Sequence, residues 1–169
     1  SPIETPASGM ATRSGEVVSL VDTSWHDPAG MSFVIEAHLA DVPAAGALRL
    51  FSVDDGTDAN RHDLHYFSEM SRIAFFAKSG GSSQGDIVGL LGGWSDGGVH
   101  RIGITIGGGA RALFVDGTKA GSDTLTDPVG ASQVHVGRNY ATTPWQGHVR
   151  RVLAYPRALS DAEMAALTG

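Results

Sequence analysis

The densest group of side chains that could do chemistry is a short acidic loop. Four side chains with a carboxylate or amide oxygen fall within seven positions: Asp54, Asp55, Asp58 and Asn60. Carboxylate and amide oxygens are the hard ligands that calcium prefers, although the spacing is not that of an EF-hand and the loop contains no glutamate. Asp, Asn and Gly also favour hairpin turns. The loop therefore predicts either a turn or a calcium site, and no other cofactor is required.

Aromatic side chains next to polar loops form a second candidate site. Sugar binding needs a flat aromatic face for the C–H side of the ring and forked donors for its hydroxyls. One loop, between two late segments, combines both, and a glycine-flanked tryptophan stands in another. The candidate glycan-binding residues of these loops are Arg138, Asn139, Tyr140, Trp145, Gln146 and Trp94. For Trp145 the alternative to ligand binding is that the side chain plugs one end of the core. For Tyr140 and Trp94 a role in packing and a role in ligand binding are equally open.

Polar residues alternating along strands form a third candidate. Arg61, Asp63 and His65 share one face of their segment, and Arg101 and His135 stand on the polar faces of theirs. If these strands belong to one sheet, that sheet carries an Arg/His/Asp surface. Ten of the twelve basic residues are arginine, whose planar fork binds carboxylates bidentately. Such a surface suits acidic glycans or a subunit interface, and an ordinary solvated face is the alternative.

The composition limits what these candidates can do. The chain has 169 residues, 41% of them hydrophobic and 18% charged, with a formal net charge of −6. The length fits one domain with a real core. An acidic chain lacks the concentrated basic face that nucleic-acid binding needs. No apolar run approaches the roughly 20 residues that span a bilayer. The absence of cysteine excludes disulfides, thiolate nucleophiles and cysteine-based zinc sites.

Period-2 alternation dominates the elements that must position these residues. About ten strands with no helix between them predict an antiparallel sandwich or barrel and exclude a parallel βαβ fold. In the third strand we expect Leu48 and Leu50 to face away from Arg49 and Phe51. The predicted strands are residues 16–21, 32–39, 47–53, 61–67, 72–78, 85–91, 100–106, 110–115, 133–137 and 147–155.

Two local signals complete the secondary structure. The Asp116-Gly117 dipeptide favours a tight hairpin turn because both residues tolerate positive φ. Ser160 and Glu163 match a capping box, and Gly169 stands where a C-cap would close the helix. A helix of about two turns cannot be stable alone, so we expect it to dock on the sandwich.

Five segments of the second half follow a recognisable order: a strand, a hairpin over Asp-Gly, a strand ending in Gly, a closing strand and a short terminal helix. These are residues 100–102, 113–117, 134–137, 145–149 and 155–163. In order and spacing they resemble the laminin G-like branch of the concanavalin A-like jelly rolls. The resemblance implies an all-β jelly roll of two sheets, each with six to seven strands, and a rim of loops that often binds glycans and sometimes calcium. It does not imply catalysis.

A narrower resemblance covers the chain from Ala11 onward. Residues 11–13, the stretch 54–61, Pro144-Trp145 and Arg150-Arg151 are similar to domains at the end of phage and prophage tail or fibre proteins. In those proteins the segment resembling residues 1–11 is a linker from an upstream domain, which leaves residues 12–169 as one jelly-roll domain. The resemblance implies a virion-surface or extracellular location, a host surface polysaccharide as ligand, and other tail or fibre subunits as partners.

Hydrolytic chemistry lacks its usual signature. Glycosidases use paired carboxylates, and on this fold they follow the pattern Glu-x-Asp-x-x-Glu. None of the five glutamates has an aspartate two positions later. We therefore expect a non-catalytic glycan-binding module. The alternative is a structural or oligomerising domain of a fibre or tail, and a glycan-active enzyme ranks third.

Overall fold

The computed structural model of the chain describes residues 18–20, 27, 29–39, 46–90, 97–125, 130–138 and 145–169. Within them two antiparallel sheets pack face to face. In spatial order the first sheet contains β1 (Val18–Leu20), β10 (Gln133–Val136), β3 (Ala47–Asp54), β4 (Arg61–Phe67), β5 (Arg72–Ser79) and β6 (Ser82–Leu90). The second contains β11 (Gly147–Tyr155), β2 (Gly30–Leu39), β7 (Val99–Gly107), β8 (Ala110–Val115) and β9 (Thr118–Thr124). A 3₁₀ turn (Ser68–Met70) joins β4 to β5, and α1 (Asp161–Thr168) ends the chain. The predicted antiparallel sandwich is confirmed.

Strand β9 is absent from the sequence prediction. It lies at the edge of its sheet and consists largely of small and polar residues, so it carries no alternation to detect. The second sheet has five strands within the described residues, fewer than the resemblance implied. Elsewhere the strand bounds agree with the prediction to within a few residues.

The core lies between the sheets and follows the predicted alternation. Phe33 and Ile35 on β2 and Ile102 and Ile104 on β7 are at most 1% exposed. Burying a side chain of this size stabilises the fold by about 1.5–3 kcal/mol. Alternate residues along these strands therefore decide which face of each sheet turns inward.

One strand departs from simple alternation. In β3, Arg49 pairs with His65 and Phe51 pairs with Leu64, so Leu50 is an extra residue at a bulge. Leu50 and Phe51 consequently both enter the core, and the predicted outward position of Phe51 is wrong. A bulge inserts one residue without a cross-strand partner and shifts the alternation of those that follow.

The hairpin and the helix form as the sequence predicts. Asp116 and Gly117 have φ values of 46° and 78° in the two-residue turn between β8 and β9. Ser160 and Glu163 form the capping box of α1, and Gly169 closes it. The helix packs against the outside of the five-stranded sheet, where a second apolar cluster forms around Phe114, Leu159 and Met164. No helix in the described part of the chain is long and apolar enough to cross a membrane.

Arg111 ties the two sheets together at one end of the sandwich. Its side chain starts on β8, is only 1% exposed, and pairs through Nε and Nη2 with Asp123 at 2.6 and 2.8 Å. Nη1 donates to the Phe75 carbonyl at 3.2 Å and Nη2 to the Gly85 carbonyl at 2.6 Å, both on the opposite sheet. The buried charge is thus matched by one carboxylate and a set of carbonyls.

Candidate functional site

The six-stranded sheet turns one face to the core, and we call the opposite one its outer face. Arg61, Asp63 and His65 alternate with the buried Leu64 and Tyr66 of β4, which places the three polar residues on the outer face. His135 of β10 stands opposite Ser52 of β3, which in turn stands opposite Asp63. The structure therefore brings four of the five predicted polar-face residues onto one sheet.

Arg101 is the exception, and the expectation that it joins this surface is wrong. It lies on β7, which pairs with β2 and β8 in the five-stranded sheet. There its Nε contacts Glu36 at 3.3 Å and its Nη1 donates to the Gly169 carbonyl. Alternation shows that a residue is outward, but only strand pairing decides on which sheet.

His65 is the centre of the outer face. It is 5% exposed, and the guanidinium groups of Arg49, Arg61 and Arg72 act on it together. Burial, and then the charges of these arginines, lower the pKa of His65 from 6.5 to about 3. Its imidazole is therefore neutral at physiological pH. We call Arg49, Arg61, Arg72 and His65 the arginine cluster.

Two phenylalanine rings hold the cluster in place. Phe67 meets the His65 ring edge-on at 4.6 Å, and the Arg72 guanidinium lies 4.8 Å from the Phe67 centroid. The Arg61 guanidinium lies 5.1 Å from the Phe76 centroid. Cation–π contacts of this kind fix the plane of a guanidinium without using its hydrogen-bond donors. The ring contacts therefore orient both guanidinium groups while leaving their donors to other partners, which for Arg61 include Asp58 and Asp63.

Some polar atoms of the cluster have no partner among the described residues. The Nδ1 atom of His65 and the Nε atom of Arg72 are buried and form no hydrogen bond there. Arg61 contacts Asp63 at 2.8 Å and also pairs with Asp58. Buried polar groups in folded proteins are nearly always hydrogen-bonded, so atoms left over call for water or a ligand.

The side of the cluster toward β10 is held by a buried aspartate. Asp54 is fully buried; its carboxylate accepts from the Ser52 hydroxyl at 2.6 Å and from the Gly56 amide at 2.9 Å. His135 Nε2 lies 3.5 Å from the same carboxylate. These contacts tie the acidic loop to the sheet, so the role that the structure supports for Asp54 is positioning.

The rest of the acidic loop is held by contacts of its own. Asp55 accepts from the Thr57 amide and hydroxyl and from the Asn60 amide. Its slight burial acts to raise the pKa of Asp55, but these hydrogen bonds outweigh it and lower the pKa below its ordinary value. Asp58 pairs with Lys78 as well as with Arg61. No group of three His, Asp or Glu side chains within the described ranges is arranged to hold a metal ion, and calcium binding stays a prediction.

The structure describes some of the candidate glycan-binding residues in the loops and leaves others outside the described residues. Trp145 is 8% exposed, belongs to the main core and donates from Nε1 to the His38 carbonyl at 3.2 Å. This is the plug that the sequence left open as the alternative to ligand stacking. Arg138 is partly exposed and Gln146 exposed, while Asn139, Tyr140 and Trp94 lie outside the described residues and stay predictions.

Sequence reasoning missed Arg49, Arg72, Phe67 and Phe76. A signal was present, since the alternation that turns Ile73 and Phe75 inward turns Arg72 and Phe76 outward. What alternation cannot supply is the register in which Arg49 stands opposite His65 and Phe67 opposite Arg72. That register assembles the cluster from three strands.

Solved structures share this architecture at low identity. The CBM40 of the Ruminococcus gnavus IT-sialidase bound to α2,6-sialyllactose has a TM-score of 0.70 and 17% identity, over 83% of this chain and 84% of that one. The leech intramolecular trans-sialidase complexed with 2,7-anhydro-Neu5Ac has a TM-score of 0.74 and 16% identity, over 92% of this chain and 26% of that one. Mouse laminin α1 domains LG4-5 have a TM-score of 0.63 and 14% identity, over 86% and 40%. At sequence identities this low, the similarity to these structures shows the fold alone.

The family is shown by sequence. No curated protein matches the chain at a significant level. A laminin G-type family model matches residues 13–165, which is nearly the whole chain. The resemblance seen in the second half of the sequence is thereby confirmed. The chain belongs to the concanavalin A-like lectin/glucanases superfamily.

Proposed function

We propose that this domain is a non-catalytic carbohydrate-binding module for acidic glycans, and that the arginine cluster on the outer face is its binding site. The observation that carries the proposal is the strand register that gathers Arg49, Arg61 and Arg72 around the buried His65, with two of the three guanidinium groups held against phenylalanine rings. Positive charge concentrated in this way, in a chain with a net charge of −6, favours an anionic ligand.

The chemistry of the cluster fits a carboxylated sugar. A guanidinium presents paired donors that match the two oxygens of a carboxylate. A neutral imidazole supplies one donor and one acceptor, which suits a sugar hydroxyl. The partly exposed rings of Phe67 and Phe76 lie beside these groups and offer apolar surface for the C–H face of the sugar.

A solved relative of the same fold supports this ligand class. The Ruminococcus gnavus CBM40 is bound to sialyllactose, a glycan that carries a carboxylate. For the present chain the same class of ligand follows from the charge and the hydrogen-bonding groups of its own cluster.

The wider setting proposed for the module is a larger surface protein. The resemblance of the sequence to the ends of phage tail and fibre proteins suggests a virion-surface or extracellular component that recognises a host polysaccharide. A shallow site on one domain binds weakly, so repetition in an oligomer would raise the overall avidity without new contacts. The arginines bind and orient the glycan, and no bond is broken.

The test is calorimetric titration with sialyllactose and with uncharged lactose. We expect sialyllactose to bind and lactose to bind far more weakly. Arg72→Gln should weaken sialyllactose binding about tenfold, since it removes a charge-assisted hydrogen bond. Arg150→Gln is the matched control, because it removes an exposed arginine from the other sheet and should leave the affinity unchanged.

Two results would overturn the proposal. Equal binding of lactose and sialyllactose would exclude recognition of the acid. Failure of several acidic polysaccharides to bind the folded protein, together with a defined oligomer in light scattering, would favour the structural domain that the sequence left as the alternative.

A further inference from the structure

A second concave site lies on the opposite side of the sandwich, outside the five-stranded sheet. A groove with a volume of about 200 Å³ runs between β11 and the C-terminal end of α1. We call it the helix groove. Its lining comprises Val34, Glu36, Arg101, Arg151, Leu153, Tyr155 and Leu167.

The floor of the helix groove is apolar. It continues the second cluster beneath α1, against which Leu153, Tyr155 and Leu167 pack while staying partly exposed. The helix covers the β7 and β8 side of this sheet and leaves the β11 side open. Apolar surface left in a concavity gains free energy when a ligand displaces the water above it.

Charged groups stand at the edge of this floor. Glu36 is held by Arg101 at 3.3 Å and by Arg150 at 3.9 Å, and Arg101 also donates to the Gly169 carbonyl. Arg151 stands opposite Glu36 in the sheet, and its exposed side chain forms no hydrogen bond or ion pair with any residue in the described part of the chain. Its guanidinium is therefore the cation of the groove whose donors can bind a ligand.

The size and charge of the groove limit its ligand. Only seven residues line the groove, so it has room for a small ligand such as a single ring and not for an extended chain of sugars. Two arginines and one glutamate give the lining a net charge of about +1. That balance suits a single negative charge, because Glu36 would repel a doubly charged phosphate.

We infer that the helix groove is a second ligand site that takes one carboxylate-bearing pyranose ring, of the hexuronic acid type. Arg151 receives the carboxylate, Tyr155 lies against the C–H face of the ring, and Glu36 accepts from a ring hydroxyl. The inference rests on the lining of this groove and not on the arginine cluster. Together the two sites would let one domain hold acidic sugars on both sides of the sandwich.

The experiment is an NMR titration of the full chain, labelled with ¹⁵N, with glucuronate as the probe. Glucose tests the charge requirement and acetate tests the ring requirement. We expect saturable shifts at the amides of Leu153, Tyr155 and Leu167 with glucuronate, and much weaker binding of glucose and acetate. Arg151→Gln should weaken glucuronate binding about tenfold. Lys119→Gln, which removes a cation of equal charge that pairs with Asp161 and does not line the groove, should keep the wild-type affinity.

The outcomes are distinct from those of the proposed function. Arg72→Gln should leave the glucuronate shifts at the groove unchanged even where it weakens sialyllactose binding. Acetate binding as tightly as glucuronate would overturn the inference, since the ring would then add nothing. Equal losses in Arg151→Gln and Lys119→Gln would also overturn the inference, because the attraction of glucuronate would then be a general effect of charge. The absence of shifts at the groove amides would overturn it as well, because no ligand would then bind there.

Discussion

Arg111 and the arginine cluster show two ways in which this fold buries positive charge. Arg111 is almost completely buried and is met by Asp123 and by main-chain carbonyls. Around His65, by contrast, three guanidinium groups act on one imidazole and depress its pKa. The charge of Arg111 is compensated by the chain at every donor that the fold buries. In the cluster, Arg61 pairs with Asp58 and Asp63, but the like charges that act together on His65 cost stability, as is typical of binding sites.

The largest effect on stability is expected when the compensated charge of Arg111 is removed. Arg111→Met leaves Asp123 and the carbonyls of two strands without their donor, so we expect the free energy of unfolding to fall by about 3 kcal/mol. Urea denaturation measures the change. Arg150→Met, at an arginine whose side chain is 59% exposed, is the control and should have little effect. An unchanged midpoint in Arg111→Met would show that the buried pair contributes no net stability.

The two outer faces can be compared through the helix that covers one of them. A Cβ added at Gly103 would stand 2.3 Å from Met164 Sδ and 2.9 Å from Thr168 Cγ2, so in Gly103→Ala these buried side chains must shift or α1 must move outward. We expect a loss of about 1–3 kcal/mol, as is usual for overpacking. Gly130→Ala meets no atom within 4 Å and serves as the control in thermal unfolding. Equal melting temperatures would mean that α1 is not packed as described.

The lowered pKa of His65 makes the stability of the fold depend on pH, which tests the cluster separately from Arg111. Between pH 6.5 and about 3 the unfolded chain binds a proton that the folded chain resists, so stability should fall as the pH falls through this window. Stability measured at a series of pH values should show a shallower decline in His65→Gln. Arg72→Gln should raise the pKa of His65, because one of the three charges is gone. A His65 ring that titrates near 6.5 in NMR spectra would contradict the cluster.

The smallest effect is expected at the surface cap of α1. Hydrogen bonds from Arg157 and then Ser160 lower the pKa of Glu163 from 4.5 to about 2. A lowered pKa contributes stability above pH 4.5 that is lost as the pH falls through 2. The difference in melting temperature between wild type and Glu163→Gln should therefore vanish toward pH 2. A difference that persists there would assign the effect to packing.

Local patterns in the sequence predict much of this molecule because they report local geometry. Alternation places Arg61, Asp63 and His65 on one face, and the capping residues mark the ends of α1. The bulge at Leu50 and the sheet to which Arg101 belongs depend on pairing between distant strands, which no local pattern encodes. The arginine cluster is missed in part for the same reason.

The central claim is that the arginine cluster is where an acidic glycan binds. A ¹⁵N NMR titration of the wild-type chain with sialyllactose at low salt tests it most directly. We predict saturable shifts centred on the amides of Arg49, His65 and Arg72, which weaken as salt is added because screening reduces the charge attraction. Shifts confined to residues 138–146 would contradict the claim and place the site in the loop that contains Tyr140.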